Sequence, residues 1–149
     1  MKIHFVCTSN TYRSRLASTY LRSRKIPGVE VFSSGVIAKE NPNGPITWYA
    51  ERIIDNGELV EFMSPMWTQT TIELLNEADK IIFMEEFHLE YCKEHFGFKA
   101  DNYEVWNVKD MTPSDSEHSE VDQIKMSEDT FKELKSKVDN LVQELNLTN

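Results

Sequence analysis

The stretch Lys2–Leu21, KIHFVCTSNTYRSRLASTYL, holds two apolar patterns with a break between them. Lys2 to Val6 is a short apolar run that predicts a buried strand, while Leu16, Ala17, Tyr20 and Leu21 recur at helical spacing. The polar residues from Thr8 to Tyr12 separate them, so the order is strand, loop, helix. Pro27 and Gly28 stop the helix, and Val29 to Phe32 (VEVF) has the β-branched and aromatic content of a second strand, closing at Ser33, Ser34 and Gly35. The segment predicts a βαβ unit.

Working outward, the turn-rich Lys39–Pro45 (KENPNGP) precedes a predicted helix over Thr47–Asn56, with Trp48, Ile53 and Ile54 available for packing and Gly57 as its stop. A helix is expected over Thr68–Ala78, then a strand buried on both faces over Lys80–Met84 (KIIFM). Phe87–Phe96 reads as a helix stopped by Gly97, and Tyr103–Trp106 as a fourth strand. Ser127–Leu145 is a long amphipathic helix whose apolar face carries Phe131, Leu134, Val138, Leu141, Val142 and Leu145. The acidic run Ser114–Asp122 (SDSEHSEVD) is expected to be a solvated loop. Four strands alternating with helices predict an α/β fold of three layers, a mostly parallel sheet with helices on both faces, in one domain over residues 1–149. Ligands of such sheets sit beyond the carboxyl ends of the strands, where Cys7 to Arg13 lies.

The chain has 149 residues, enough for one substantial core, and its 40% apolar and 28% charged content is that of an ordinary globular protein. Its net charge of −9 argues against a nucleic-acid partner, because such binding relies on neutralising phosphates. The charge is uneven: residues 1–25 hold Lys2, Arg13, Arg15, Arg22, Arg24 and Lys25 and no acidic residue. The part that attracts anions is therefore the strand–loop–helix segment. No apolar run approaches the roughly 20 residues of a membrane span, and no signal-peptide pattern follows Met1, so a cytoplasmic location is expected. Two cysteines, Cys7 and Cys92, make neither a disulfide framework nor a zinc set.

Cys7 and Arg13 stand six positions apart around a turn that leads into a helix. The backbone N–H groups of Thr8, Ser9, Asn10, Thr11, Tyr12, Arg13 and Ser14 can converge on one anion there, and the helix N-terminus adds partial positive charge. Arg13 can grip two phosphate oxygens in parallel. A thiolate is favoured in such a field and faces the bound phosphorus as a nucleophile.

Val6-Cys7-x-x-Asn10-x-x-Arg13-Ser14, together with Ser33-Ser34-Gly35 and Ala78-Asp79-Lys80-Ile81-Ile82-Phe83-Met84, resembles the low-molecular-weight protein tyrosine phosphatases, whose loop usually reads C-x-G-N-x-C-R-S-P. The resemblance runs from about Lys2 to Asp110. It implies a four-stranded parallel sheet in the order 2-1-3-4, a cysteinyl-phosphate intermediate, no metal and no cofactor. It also implies roles: Cys7 as nucleophile, Arg13 as phosphate clamp, Ser14 as hydroxyl donor to the thiolate, Asn10 as brace of the loop and Asp110 as general acid. The implied substrate is phosphotyrosine in a protein, or another aryl phosphate. Asp115 is the alternative acid.

Several positions depart from the family pattern. Ser9 stands for the usual glycine and asks a residue with a Cβ to take a conformation that glycine accepts more easily. Tyr12 replaces the second loop cysteine, which removes a disulfide partner for Cys7 and makes Tyr12 a candidate for the pocket rim, ahead of Trp48 and Tyr49. Arg15 replaces the usual proline and is expected to add charge near the mouth. Met111, Thr112 and Pro113 follow Asp110 in place of the usual proline and aromatic pair. Two other functions stay open: an arsenate-reductase-like enzyme drawing on Cys92, and a phosphate-binding module without turnover. Cys92 is expected in the core, and His4, His88, His95 and His118 in packing or solvated roles.

Overall fold

Each strand alternates its side chains between two faces, and that period of two builds the molecule. The computed structural model describes residues 1–111 and 119–147. Its strands are β1 (Lys2–Cys7), β2 (Glu30–Gly35), β3 (Lys80–Phe83) and β4 (Tyr103–Val105). Its helices are α1 (Arg13–Ser23), α2 (Trp48–Asn56), α3 (Ile72–Glu77), α4 (Glu86–Phe96) and α5 (Glu120–Glu144), with 3₁₀ turns at Ala38–Glu40 and Val60–Phe62. The strands pair in parallel in the order β2-β1-β3-β4, as the resemblance implies.

Ile3, Phe5 and Cys7 of β1 and Ile82 of β3 point to one face, where they pack with Leu16, Ala17 and Leu21 of α1, Ile54 of α2, and Leu134, Val138 and Leu141 of α5. Val6 of β1 with Ile81 and Phe83 of β3 point to the other, against Leu75 of α3 and Leu89 and Cys92 of α4. The sheet is thus sandwiched between two helical layers. The register sets Cys7 beside Gly35 and Val6 beside Phe83, which brings the carboxyl ends of β1, β2 and β3 to one edge.

Four expectations need correcting. The last helix begins at Glu120, not Ser127: Ser119 caps it by accepting from the Asp122 N–H at 3.2 Å, and Glu120 and Asp122 in its first turn favour its positive end. Residues 119–122 of the predicted loop therefore initiate the helix; 114–118 lie outside the described residues. The helix expected from Thr68 starts at Ile72, capped by Thr71. Thr68 to Thr70 instead extend beside the end of β2, with the Gly35 N–H donating to the Thr68 carbonyl and the Thr70 N–H to the Gly35 carbonyl, both at 2.9 Å. Trp48, expected to pack, is 45% exposed, and Trp106 lies just past β4 against Phe5.

Candidate active site

The loop leaving β1 closes because Asn10 accepts a left-handed backbone, φ 57°, which asparagine tolerates better than most residues. The strain expected at Ser9 thus falls on Asn10; Ser9 is not in the positive-φ region. The Asn10 side chain holds the shape from within: Nδ2 donates to Ser14 Oγ at 2.7 Å and to Ser33 Oγ at 2.9 Å, and Oδ1 accepts from the Thr68 N–H at 2.8 Å. From outside, Gly35 admits the loop. A Cβ on Gly35 would stand 2.6 Å from Thr8 O, Ser9 C and Asn10 N, all backbone atoms that cannot swing aside.

Cys7 Sγ lies 2.8 Å from Ser14 Oγ and accepts from the Asn10 N–H at 3.3 Å. Asn10 already donates to the Ser14 hydroxyl, whose own hydrogen is then free to point at sulfur. Arg13 is 1% exposed. Its Nη1 donates to Glu85 Oε1 at 2.5 Å and to the Val108 carbonyl at 2.8 Å; its Nη2 donates to Thr8 Oγ1 at 3.3 Å and lies 3.4 Å from Asp110 Oδ2. His88 supports the same fork. The Glu85 N–H donates to its Nδ1 at 3.0 Å, so the ring proton sits on Nε2, which donates to Thr8 Oγ1 at 2.8 Å. Burial, reinforced by Arg13, pushes the His88 pKa down to about 3, and the ring stays neutral at physiological pH.

A cavity of about 340 Å³ opens over the sulfur. Cys7, Ser9, Thr11, Tyr12 and Arg13 form its floor and inner wall, and Pro42, Asn43, Thr47, Tyr49, Asp110, Met111 and Gln123 complete it. Tyr12 is 4% exposed and meets Tyr49 edge-to-face at 4.9 Å, so it is a buried wall rather than a rim. Burial raises both phenols above their ordinary pKa, which keeps them uncharged. Asp110 is 44% exposed at the mouth. Asp115 lies outside the described residues. Arg15, expected near the mouth, is fully buried behind the loop.

The candidate residues thus converge: Cys7, Arg13, Ser14, Asn10 and Asp110 meet within one site. Sequence reasoning missed Glu85 and His88. Glu85 follows β3 at the same carboxyl edge as the phosphate loop, a signal the strand pattern contained. Cys92 is fully buried on the far face of the sheet, where burial pushes its thiol up to about 12.

The profile of the family described as "Low molecular weight phosphotyrosine protein phosphatase" matches residues 2–148. The protein-arginine-phosphatase of Bacillus subtilis is 31% identical over 97% of this chain and 94% of its own length. The low molecular weight protein-tyrosine-phosphatase PtpB of Staphylococcus aureus is 33% identical over 66% of this chain and 67% of its own. The solution structure of a low molecular weight protein tyrosine phosphatase from Bacillus subtilis superposes with a TM-score of 0.78 at 27% identity, covering 98% of this chain and 97% of that one. With that match over nearly its whole length, the chain belongs to the low molecular weight protein tyrosine phosphatase family.

Proposed function

We propose that the chain hydrolyses phosphoproteins in two steps at Cys7. Cys7 Sγ attacks phosphorus, the S–P bond forms as the bond to the leaving group breaks, and Asp110 gives its proton to the departing atom. Water then attacks the phosphocysteine, Asp110 takes the proton back, and inorganic phosphate leaves with the thiolate restored. Arg13 and the loop N–H groups hold the three non-bridging oxygens through both steps, and Ser14 steadies the sulfur anion. The observation that carries this reading is the sharing of one cavity by Cys7, Arg13 and Asp110.

Phosphotyrosine is the substrate the aromatic wall of Tyr12 and Tyr49 favours, since a phenyl ring can pack against it. A second reading, phosphoarginine, is supported by the likeness to an arginine phosphatase over nearly both chains. A guanidine leaving group would make the proton from Asp110 indispensable. Free, buried thiols fit a cytoplasmic site of action, and a net charge of −9 fits a protein substrate rather than nucleic acid. An arsenate-reducing relay is disfavoured by Cys92, which faces away from Cys7.

Matched phosphotyrosine and phosphoarginine peptides, followed by rapid quench, test the proposal. A burst of one dephosphorylated peptide per enzyme is expected on the preferred substrate. Phosphate binding with no release of either peptide would leave a binding module and end the enzymatic reading.

A further inference from the structure

Arg15 occupies the third position of α1, where the family loop usually carries proline, and its side chain is completely buried. Nη1 donates to the Asn10 carbonyl at 3.2 Å and to the Pro45 carbonyl at 2.8 Å, while Nη2 donates to the Ser64 carbonyl. One guanidinium therefore joins three segments: the phosphate loop, the loop entering α2, and the chain beyond the Val60–Phe62 turn. Among the described residues no carboxylate pairs with it, and its Nε is buried without a partner. Burying an unpaired cation is unfavourable, so the fork's three carbonyls are what offset its desolvation.

The middle segment is the outer wall of the cavity, since Pro42, Asn43, Thr47 and Tyr49 line it. That wall meets the phosphate loop at two adjacent carbonyls. Thr47 donates to the Thr11 carbonyl from both its N–H and its hydroxyl at 3.0 Å, and Arg15 bridges the Asn10 carbonyl to that of Pro45. Proline at position 15 has no side-chain donor, and lysine offers one point charge where the fork reaches three oxygens.

We propose that Arg15 is a positioning residue for substrate recognition: it holds the Pro42–Tyr49 wall against the phosphate loop and thereby sets affinity for the organic part of the substrate. The proposal rests on the phosphatase reading and deepens it. Arg22 supplies a control within the same helix. It donates to the Phe62 carbonyl and Ser64 Oγ at 3.2 Å and to the Val31 carbonyl at 2.8 Å, but touches neither Asn10 nor Pro45.

The test compares Arg15→Met, Arg15→Lys and Arg22→Met by kcat and KM on the preferred phosphopeptide, by inhibition with inorganic phosphate, and by thermal melting. Arg15→Met is expected to raise KM about tenfold, the scale of one charged hydrogen bond, with kcat and the phosphate inhibition constant held within about twofold. Arg15→Lys is expected to restore part of the affinity, and Arg22→Met to lower the melting temperature with KM unchanged. An unchanged KM in Arg15→Met overturns the proposal. So does an equal loss of inorganic phosphate binding, or an equal rise of KM in Arg22→Met. If Arg15→Met does not fold, Arg15→Lys is read against wild type by the same criteria. A wild type that turns over no phosphopeptide defeats the phosphatase reading and this proposal together; an active wild type with unmoved variants defeats the proposal alone.

Discussion

Cys7 and Cys92 are buried on opposite sides of the same sheet, Cys7 at the end of β1 in the core under α1 and α5, Cys92 on α4 in the core between that helix and the other face of the sheet. No disulfide can form between them while the sheet is intact. Tyr12 also stands where the family loop usually carries a second cysteine.

Peroxide is therefore expected to drive Cys7 past the sulfenic stage to irreversible acids. Mass spectrometry after prolonged treatment is expected to find a modified Cys7 with Cys92 unmodified, and dithiothreitol to recover little activity. Full recovery, or a Cys7–Cys92 bridge, would show that the two faces communicate by opening.

Cys7→Ser removes the proposed nucleophile and leaves the cradle. Turnover is expected to fall by several orders of magnitude while vanadate still binds, as measured by calorimetry. Arg13→Lys breaks a fork that now meets Glu85, Val108, Thr8 and Asp110, so kcat/KM is expected to drop on the order of 10²-fold, and anion binding with it. Wild-type kinetics in Arg13→Lys would remove the loop from the site.

Asp110 lines the cavity at its mouth, 3.4 Å from Arg13, and the proposed mechanism asks it for the proton of the leaving group. Asp110→Asn is expected to slow the burst on phenyl phosphate by about 10²–10⁴-fold and on an activated nitrophenyl ester far less. An equal loss on both would take the acid role away from Asp110, and Asp115 would be the next residue to test.

Two buried histidines make the fold acid-sensitive. Burial lowers the His4 pKa to about 4 and, with Arg13, the His88 pKa to about 3. Both folded values lie below the ordinary 6.5, so the unfolded chain takes up protons first. Stability is complete above that value and declines as pH falls toward the folded ones, by up to about 1.4 kcal/mol per pH unit for each ring. Urea midpoints are expected to fall between about pH 7 and pH 5 in wild type, and less steeply in His4→Gln, whose amide can take over the 2.7 Å hydrogen bond between His4 Nε2 and Ser34 Oγ. A flat wild-type profile would mean that both sites protonate freely.

The sheet was legible because KIHFV and KIIFM are short, continuous apolar runs, and a strand covered on both faces leaves little else for such runs to be. The loop was legible because thiol and guanidinium flank a break in periodicity. The start of α5 was not: Glu120 and Asp122 look solvated until Ser119 is seen as a cap. Arg15 misled for a related reason, since charge suggests surface while its carbonyl partners come from positions 10, 45 and 64. Glu85 and His88 escaped notice because their link to Arg13 and Thr8 spans more than 70 positions and exists only once β1 lies beside β3.

Gly35 carries a lesson for recognising such enzymes in other chains. The end of β2 is a mould for the phosphate loop, cast by the one residue without a side chain, and it lies 28 positions after Cys7. A cysteine and an arginine at the right spacing are common, but in this fold the loop between them also needs the space that Gly35 leaves at the end of β2. Screening for the hollow together with the motif would discard chance matches that the motif alone retains. It also marks Gly35→Ala as a way to abolish catalysis from outside the catalytic set, through shape alone.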